Sequence, residues 1–369
     1  MPSREADAVA SPDAADADPA TPPGWDDDWT RTWDAEIEAG RAPDGTVAAR
    51  VVRIDKGGIT TSVRPGDEQL VVAAKSARRV VVGDVVALDA EAGRIGAILP
   101  RRTVFERRSP GVSRGQVAVE SRAVAANMDR VLVLQPLDVG LNPPRLAREL
   151  VLAWESGATP VVVLTKTDLV DADEVDRSVA EAARWAPDVE VMAVSTRQAG
   201  TLHGVRDLAG AGHVLALLGA SGAGKSSLAN ALAGRQVQLT AEVREGDRRG
   251  RHTTTAGQIV DLADGGLLID TPGIRGVGLW AADDGLEAAF ADLAPFAQRC
   301  RFVDCHHDAE PDCGITAAVA RGEVGADRLE VWHALVDELE TLEADLEVRD
   351  RESQRQANQV ARHRARQRP

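Results

Sequence analysis

The sequence predicts a multidomain chain with an N-terminal β-barrel, a central doubly wound α/β domain and a C-terminal, mostly helical Cys/His segment. Three observations predict it. Short β-branched runs fill residues 45–100, near-continuous apolar runs alternate with helical stretches over 129–278, and all three cysteines fall between positions 300 and 313. At 369 residues the chain is long enough for two or three ordinary cores.

The first 24 residues are Ala, Asp and Pro with almost no bulky apolar side chains, a composition that favours disorder. Trp25, Trp29, Trp33 and Ile37 then recur every four residues, the stripe of a short helix that either packs on the neighbouring domain or docks a partner, the first being the expectation. No apolar run approaches 18 residues and the start lacks the basic, then apolar, pattern of a secretory signal, so a cytoplasmic protein away from membranes is expected.

Within 45–100, TVAARVVRI, GITTSVR, QLVVAA, RVVVGDVVAL and GRIGAIL have the length and turn spacing of a five-stranded, OB-type barrel. Residues 101–125 carry Arg101, Arg102, Arg107, Arg108 and Arg114 and read as a basic linker. The net charge is −15, which taken whole opposes nucleic-acid binding, but it is unevenly spread. Residues 1–44 carry twelve acids against three Arg, residues 45–122 fourteen basic residues against eight acids, and residues 349–369 seven Arg against two acids. The barrel and the tail could therefore meet phosphate.

The runs RVLVLQ, TPVVVLT, VEVMAV, HVLALLG and GLLID suit parallel strands covered on both faces. After HVLALL comes Gly219-Ala-Ser221-Gly222-Ala223-Gly224-Lys225-Ser226, with Ser227 opening a helix. This is the phosphate loop G-x-x-x-x-G-K-[ST], in which backbone N–H groups and a helix N-terminus face the phosphates. Lys225 is expected on the β- and γ-phosphates and Ser226 on Mg²⁺. The chain has only four lysines, Lys56, Lys75, Lys166 and Lys225, and two of them fall in these motifs, where a compact charge on a slender stem is needed.

Thr165-Lys166-Thr167-Asp168 ends the strand PVVVLT and is similar to the guanine-reading motif of GTPases. A carboxylate at Asp168 can accept from guanine N1–H and the 2-amino group, which adenine cannot offer. Ser195, after the next strand, is expected near guanine O6. Asp270-Thr-Pro-Gly273 is similar to D-x-x-G, with Asp270 holding Mg²⁺ through water and the Gly273 amide sensing the γ-phosphate. Gly250-Arg-His252-Thr253-Thr254-Thr255 is the candidate switch I. Any of its threonines could complete the Mg²⁺ shell, and Thr254 is the assignment. Ile274 stands where Ras-like proteins orient water with Gln, which an aliphatic side chain cannot do, so His252 is the candidate.

The guanine motif and Ser195 precede the phosphate loop, and DTPG follows it. That order is a circular permutation, which leaves every loop at the carboxyl edge of one sheet. It also makes switch II lead straight into the C-terminal region, so the γ-phosphate state is expected to be passed mechanically to that region and to the barrel. There, Cys300, Cys305, His307 and Cys313 supply three thiolates and an imidazole for one structural, tetrahedral Zn²⁺, with His306 offering the same chemistry as its neighbour. A helix with Leu329, Trp332, Leu335, Val336, Leu339 and Leu342 on one stripe follows.

Residues 45–345 resemble the ribosome small subunit-dependent GTPase A family (RsgA/YjeQ), through VVGDVV, ILPRRTVFERR, AANMDRVLVL, TKTD, GASGAGKSS, GRHTTT, DTPG and CRFVDCHH…EPDC. The resemblance implies an OB-barrel, a permuted GTPase domain and a zinc-binding domain, and its spacing favours His307 over His306. It also implies a GTP hydrolase of late small (30S) subunit maturation that binds GTP, GDP and rRNA and is stimulated by that subunit. The family's switch I histidine has a hydrolytic role, which supports His252. The expected division is a largely disordered acidic arm (1–44), barrel (45–112), permuted GTPase domain (113–285), zinc-binding helical domain (286–348) and basic tail (349–369), in a monomer. A large-subunit GTPase and a GTP-gated RNA-binding module with negligible hydrolysis are the rival readings.

Overall fold

The structure, a computed structural model, describes residues 21–73, 79–113, 116–237, 257–271 and 282–342, with isolated positions 239, 274, 279, 344 and 348. Of the expectations above, those for residues 1–20, for His252, Thr254 and Gly273, and for the tail from 349 lie outside the described residues.

Strands β1 (Val47–Asp55), β2 (Gly58–Arg64), β3 (Asp67–Ala73), β4 (Val85–Asp89) and β5 (Arg94–Ile98) pair in the order β1-β2-β3-β5-β4, and β4 returns to β1. That closure removes both edges and gives the OB-type barrel. Alternation decides its two faces. Val86 and Leu88 point into the barrel with Val51, Val71 and Ile95, while Val85 and Ala87 point outward.

The outward pair receives helix α1 (Asp27–Glu38), capped by the Asp26 carboxylate accepting from Trp29 N–H at 2.7 Å. Trp29 is 2% exposed against Ala42, Val85, Ala87 and Leu99, with Trp25 and Trp33 partly buried alongside. Three positions of the stripe thus pack as expected, and Ile37, 48% exposed, does not. The arm is held further by the buried Arg50 of β1, which donates to the carbonyls of Pro23 (2.6 Å) and Gly24 (3.0 Å). Arg102 stacks over Trp29 at 4.0 Å and pairs with Asp26 at 2.7 Å.

The linker expected over 101–125 is instead a two-stranded hairpin, β6 (Val104–Ser113) and β7 (Gln116–Ala126), in register from Val104↔Ala126 to Ser113↔Gln116. The Val117–Val119 alternation carries that strand signal, and the basic residues beside it obscured it.

The α/β domain comprises β8 (Arg130–Pro136), α2 (Pro143–Glu155), β9 (Thr159–Thr165), α3 (Ala172–Trp185), β10 (Glu190–Ala193), α4 (His203–Leu208), β11 (Val214–Gly219), α5 (Lys225–Ala233), β12 (Gly257–Asp261) and β13 (Leu267–Asp270). The strand order is β10-β9-β8-β11-β13-β12, parallel except for β12. Val131 and Val133 enter the core on one face of the sheet, Leu132 and Leu134 the core on the other, which explains the unbroken apolar runs. Strand β12 was not foreseen. It pairs with barrel strand β1 through Arg53↔Gln258 and Ile54↔Gly257, so barrel and α/β domain share one sheet.

The C-terminal region holds α6 (Asp283–Ala289), α7 (Ala294–Ala297), α8 (Gly314–Ala320) and α9 (residues 326–342). Gly285 lets α6 approach α2 closely; a Cβ there would lie 2.3 Å from the Val151 carbonyl oxygen. Arg328 of α9, buried, pairs with Asp292 and donates to the carbonyls of Ala289 (2.9 Å) and Trp185 (3.2 Å), tying α9 to the end of α3.

Candidate functional site

Each candidate loop leaves the carboxyl end of a strand, so the parallel sheet gathers them on one edge. The phosphate loop follows β11, the guanine-motif candidate follows β9, Ser195 follows β10 and Asp270 ends β13. Gly219 pairs with Leu134 of β8 at φ 144°, and a Cβ there would lie 2.8 Å from the Leu134 carbonyl oxygen. Only glycine fits that entry to the loop. Ser221 and Gly222 are exposed at its crest, Ala223 is buried, and Gly224 caps α5. Lys225 opens α5 and turns back, buried, with its Nζ 2.8 Å from the Gly219 carbonyl oxygen. Ser226 and Ser227 are exposed on the same first turn.

Thr165 stands where GTPases commonly carry Asn. Its hydroxyl donates to the Ala223 carbonyl at 2.7 Å, joining the TKTD segment to the phosphate loop. Ser195, fully buried, donates to the Asp168 carboxylate at 2.6 Å. That hydrogen bond, with Arg197 at 3.6 Å, holds the Asp168 carboxyl below the usual carboxylate range. Thr165, Lys166, Asp168, Val194, Gly224 and Ser227 line one cleft of about 200 Å³, which joins the two motifs. Lys225, Asp270, Thr271 and Ile274 line a second, smaller space, which puts Asp270 beside the phosphate loop. Ile274 is itself buried in the core.

Two neighbours were missed by sequence reading. Asp138, in a turn after β8, pairs with Lys166 at 2.7 Å. Gln135 donates to the buried Glu149 of α2 at 2.6 Å, and burial pushes the Glu149 carboxyl up to about 7. Neither pairing has a sequence signal, because each depends on strand order rather than local spacing.

In the C-terminal region, Cys300, Cys305, His307 and Cys313 bring their ligand atoms within 4.8 Å of one another. A tetrahedral metal with bonds of about 2.3 Å to sulfur and about 2.0 Å to nitrogen requires S···S edges of about 3.8 Å and S···N edges of about 3.5 Å. The Cys300–Cys313 sulfurs lie 3.9 Å apart, and each is 3.5 Å from His307 Nδ1. Backbone N–H groups of Gly314 and Thr316 donate to the Cys300 and Cys313 sulfurs at 3.3 and 3.5 Å, which favours thiolates. His306 is outside the cluster; its N–H donates to Glu310 and its carbonyl meets His333 Nε2 at 2.9 Å.

A family model described as RsgA GTPase matches residues 98–280, and one described as 50S ribosome-binding GTPase matches 214–351. The chain is 41% identical over 344 residues to a small ribosomal subunit biogenesis GTPase RsgA of Streptomyces avermitilis, covering 90% of this chain and 88% of that protein. A protein of the same name from Methanosarcina acetivorans is 40% identical over 266 residues, or 71% of this chain and 70% of that one. The fold is similar to YjeQ from Thermotoga maritima (TM-score 0.60, 23% identity, 79% of this chain and 98% of that one). It is also similar to YloQ, a circularly permuted GTPase (TM-score 0.58, 19% identity, 81% and 96%). At 41% identity over nine-tenths of its length, and with the RsgA GTPase model matching residues 98–280, the chain belongs to the RsgA GTPase family.

Proposed function

We propose that the chain hydrolyses GTP to GDP and phosphate, under stimulation by the small ribosomal subunit, as a step in that subunit's maturation. The observation that carries this reading is the single cleft built from Thr165, Lys166, Asp168 and the phosphate-loop Gly224. It sets a carboxylate for a guanine edge beside Gly224 of the phosphate loop, and Lys225 opens the helix that follows. Relatives named for small-subunit biogenesis supply the particle.

Asp168, steadied by Ser195, reads the base. Lys225 and the amides of Gly222, Ala223 and Gly224 hold the β- and γ-phosphates. Ser226, Asp270 and Thr254 would hold Mg²⁺, which would supply positive charge against the transferring group. The Gly273 amide senses the γ-phosphate, and His252 orients the attacking water. The Cys300–Cys305–His307–Cys313 set, whose spacing fits a tetrahedral ion, would hold a structural Zn²⁺, all four ligands coming from the protein. The barrel contacts rRNA, and the chain acts in the cytoplasm as a monomer, divided into arm, barrel, GTPase domain, zinc domain and tail at 44/45, 112/113, 285/286 and 348/349.

The 50S-binding family model, matching from the phosphate loop onward, favours one second reading, a large-subunit GTPase. GTP turnover measured alone, with 30S and with 50S decides between them. Stimulation by 30S alone is expected. Stimulation by 50S alone supports the rival, and flat near-zero turnover leaves a GTP-gated binding module.

A further inference from the structure

Lys166 adopts the left-handed conformation (φ 62°), which directs its side chain out of β9 and along the cleft it helps to line. Its ammonium ends 2.7 Å from the Asp138 carboxylate, and about 30% of each side chain is exposed. Asp138 comes from a different connection. Strand β8 pairs with β9 up to Pro136↔Thr165, and the turn Leu137–Val139 then begins with a buried Leu137 that pins it to the core. The strand pairing and this anchor bring the carboxylate to the head of Lys166. The resemblance of TKTD to the guanine-reading motif implies a Lys166 stem laid over the base, and a lysine stem left free samples many rotamers.

Resting on the nucleotide reading above, we infer that Asp138 is a positioning residue for guanine nucleotides, acting through Lys166: it holds the ammonium so that the methylene stem is already laid along the base cleft. Asp138 touches neither the phosphate loop nor the base-reading carboxylate among the contacts described. Its effect therefore falls on binding of GDP and GTP alike and leaves the hydrolytic step and the choice of purine unchanged.

The test is a double-mutant cycle on the full chain, with fluorescent GDP and a fluorescent GTP analogue as probes. Asp138→Ala and Asp138→Asn are expected to raise both Kd values by about three- to fivefold, with Asp138→Glu restoring part of the loss. KM should rise with kcat unchanged in the subunit-stimulated reaction. In a Lys166→Ala background, Asp138→Ala should add nothing, because the residue it positions is gone. Full additivity of the two substitutions, or an Asp138→Ala Kd equal to wild type, would overturn the inference. A wild-type chain with no preference for guanine would instead sink the nucleotide reading itself, so the two failures are distinguishable.

Discussion

Ser195 donates its hydroxyl hydrogen to the Asp168 carboxylate at 2.6 Å, and the same hydroxyl accepts from the Arg197 backbone N–H at 3.1 Å. The serine therefore fixes one carboxylate oxygen by a bond whose own orientation is fixed. Ser195→Ala should loosen Asp168 without removing it. GTP and GDP affinity should each fall by about fivefold, the value of one hydrogen bond near 1 kcal/mol. Nucleotide titration followed by fluorescence checks this, and an unchanged Kd would count against the coupling.

In the proposed function, Asp168 sets purine identity. A carboxylate accepts from the guanine N1–H and 2-amino group, whereas an amide donates to a carbonyl at position 2. Asp168→Asn is expected to lose guanine affinity by about 100-fold, as for hydrogen bonds to a charged group, and to gain xanthine nucleotides. Competition of GTP against XTP on wild type and variant tests the exchange. A variant keeping wild-type guanine preference rejects the assignment.

Much of this site's placement was legible in the sequence, for an identifiable reason. Apolar runs mark parallel strands, and the residue after each run lies on the carboxyl edge, so Thr165, Ser195, Gly219 and Asp270 needed no tertiary information to be put together. Hairpin β6–β7 has the sequence of a linker because arginines interrupt its alternation. Strand β12 escaped because five residues, Gly257–Asp261, carry too short a pattern. The Asp138–Lys166 and Gln135–Glu149 pairs join separate connections, and no local spacing encodes them.

Glu149 gives a pH signature. A glutamate ionises near 4.5 when unfolded, and burial raises it to about 7 in the fold. Between those values the folded state holds a proton that the unfolded state has lost. Stability therefore falls as pH rises from about 4.5 to 7 and stays depressed above. Glu149→Gln removes that penalty and keeps a partner for Gln135. The expected gain is on the order of 3 kcal/mol at pH 8 and close to none at pH 4. Urea midpoints at the two pH values test it, and equal shifts at both would refute the titration account.

The Cys/His cluster is separable from the proposed nucleotide cleft. Cys300→Ser removes one thiolate whose sulfur contacts His307 and Cys313. Metal analysis should fall from one zinc per chain to well below it, and limited proteolysis should cut residues 286–342 first, because structural zinc supplies folding energy directly. Nucleotide affinity should hold. Full zinc content in the variant would discount Cys300 as a ligand.

The permuted order makes two physical connections from the nucleotide edge to the rest of the molecule. Gly257 follows the candidate switch I by two residues and pairs with Ile54 of barrel strand β1. Ile274 follows DTPG and is buried in the core that also takes Ile315 and Leu335 of the C-terminal region. A change at either switch that moves these anchors biases barrel and C-terminal packing together, since packed cores shift between discrete arrangements. Amide exchange in 47–55, 257–261 and 286–342 should therefore be slower with a non-hydrolysable GTP analogue than with GDP. Ile274→Ala should shrink the difference in 286–342 and leave that in 47–55, because β12 carries the barrel's connection independently. Identical exchange in both nucleotide states across all three segments would show that the sheet and core do not transmit the γ-phosphate.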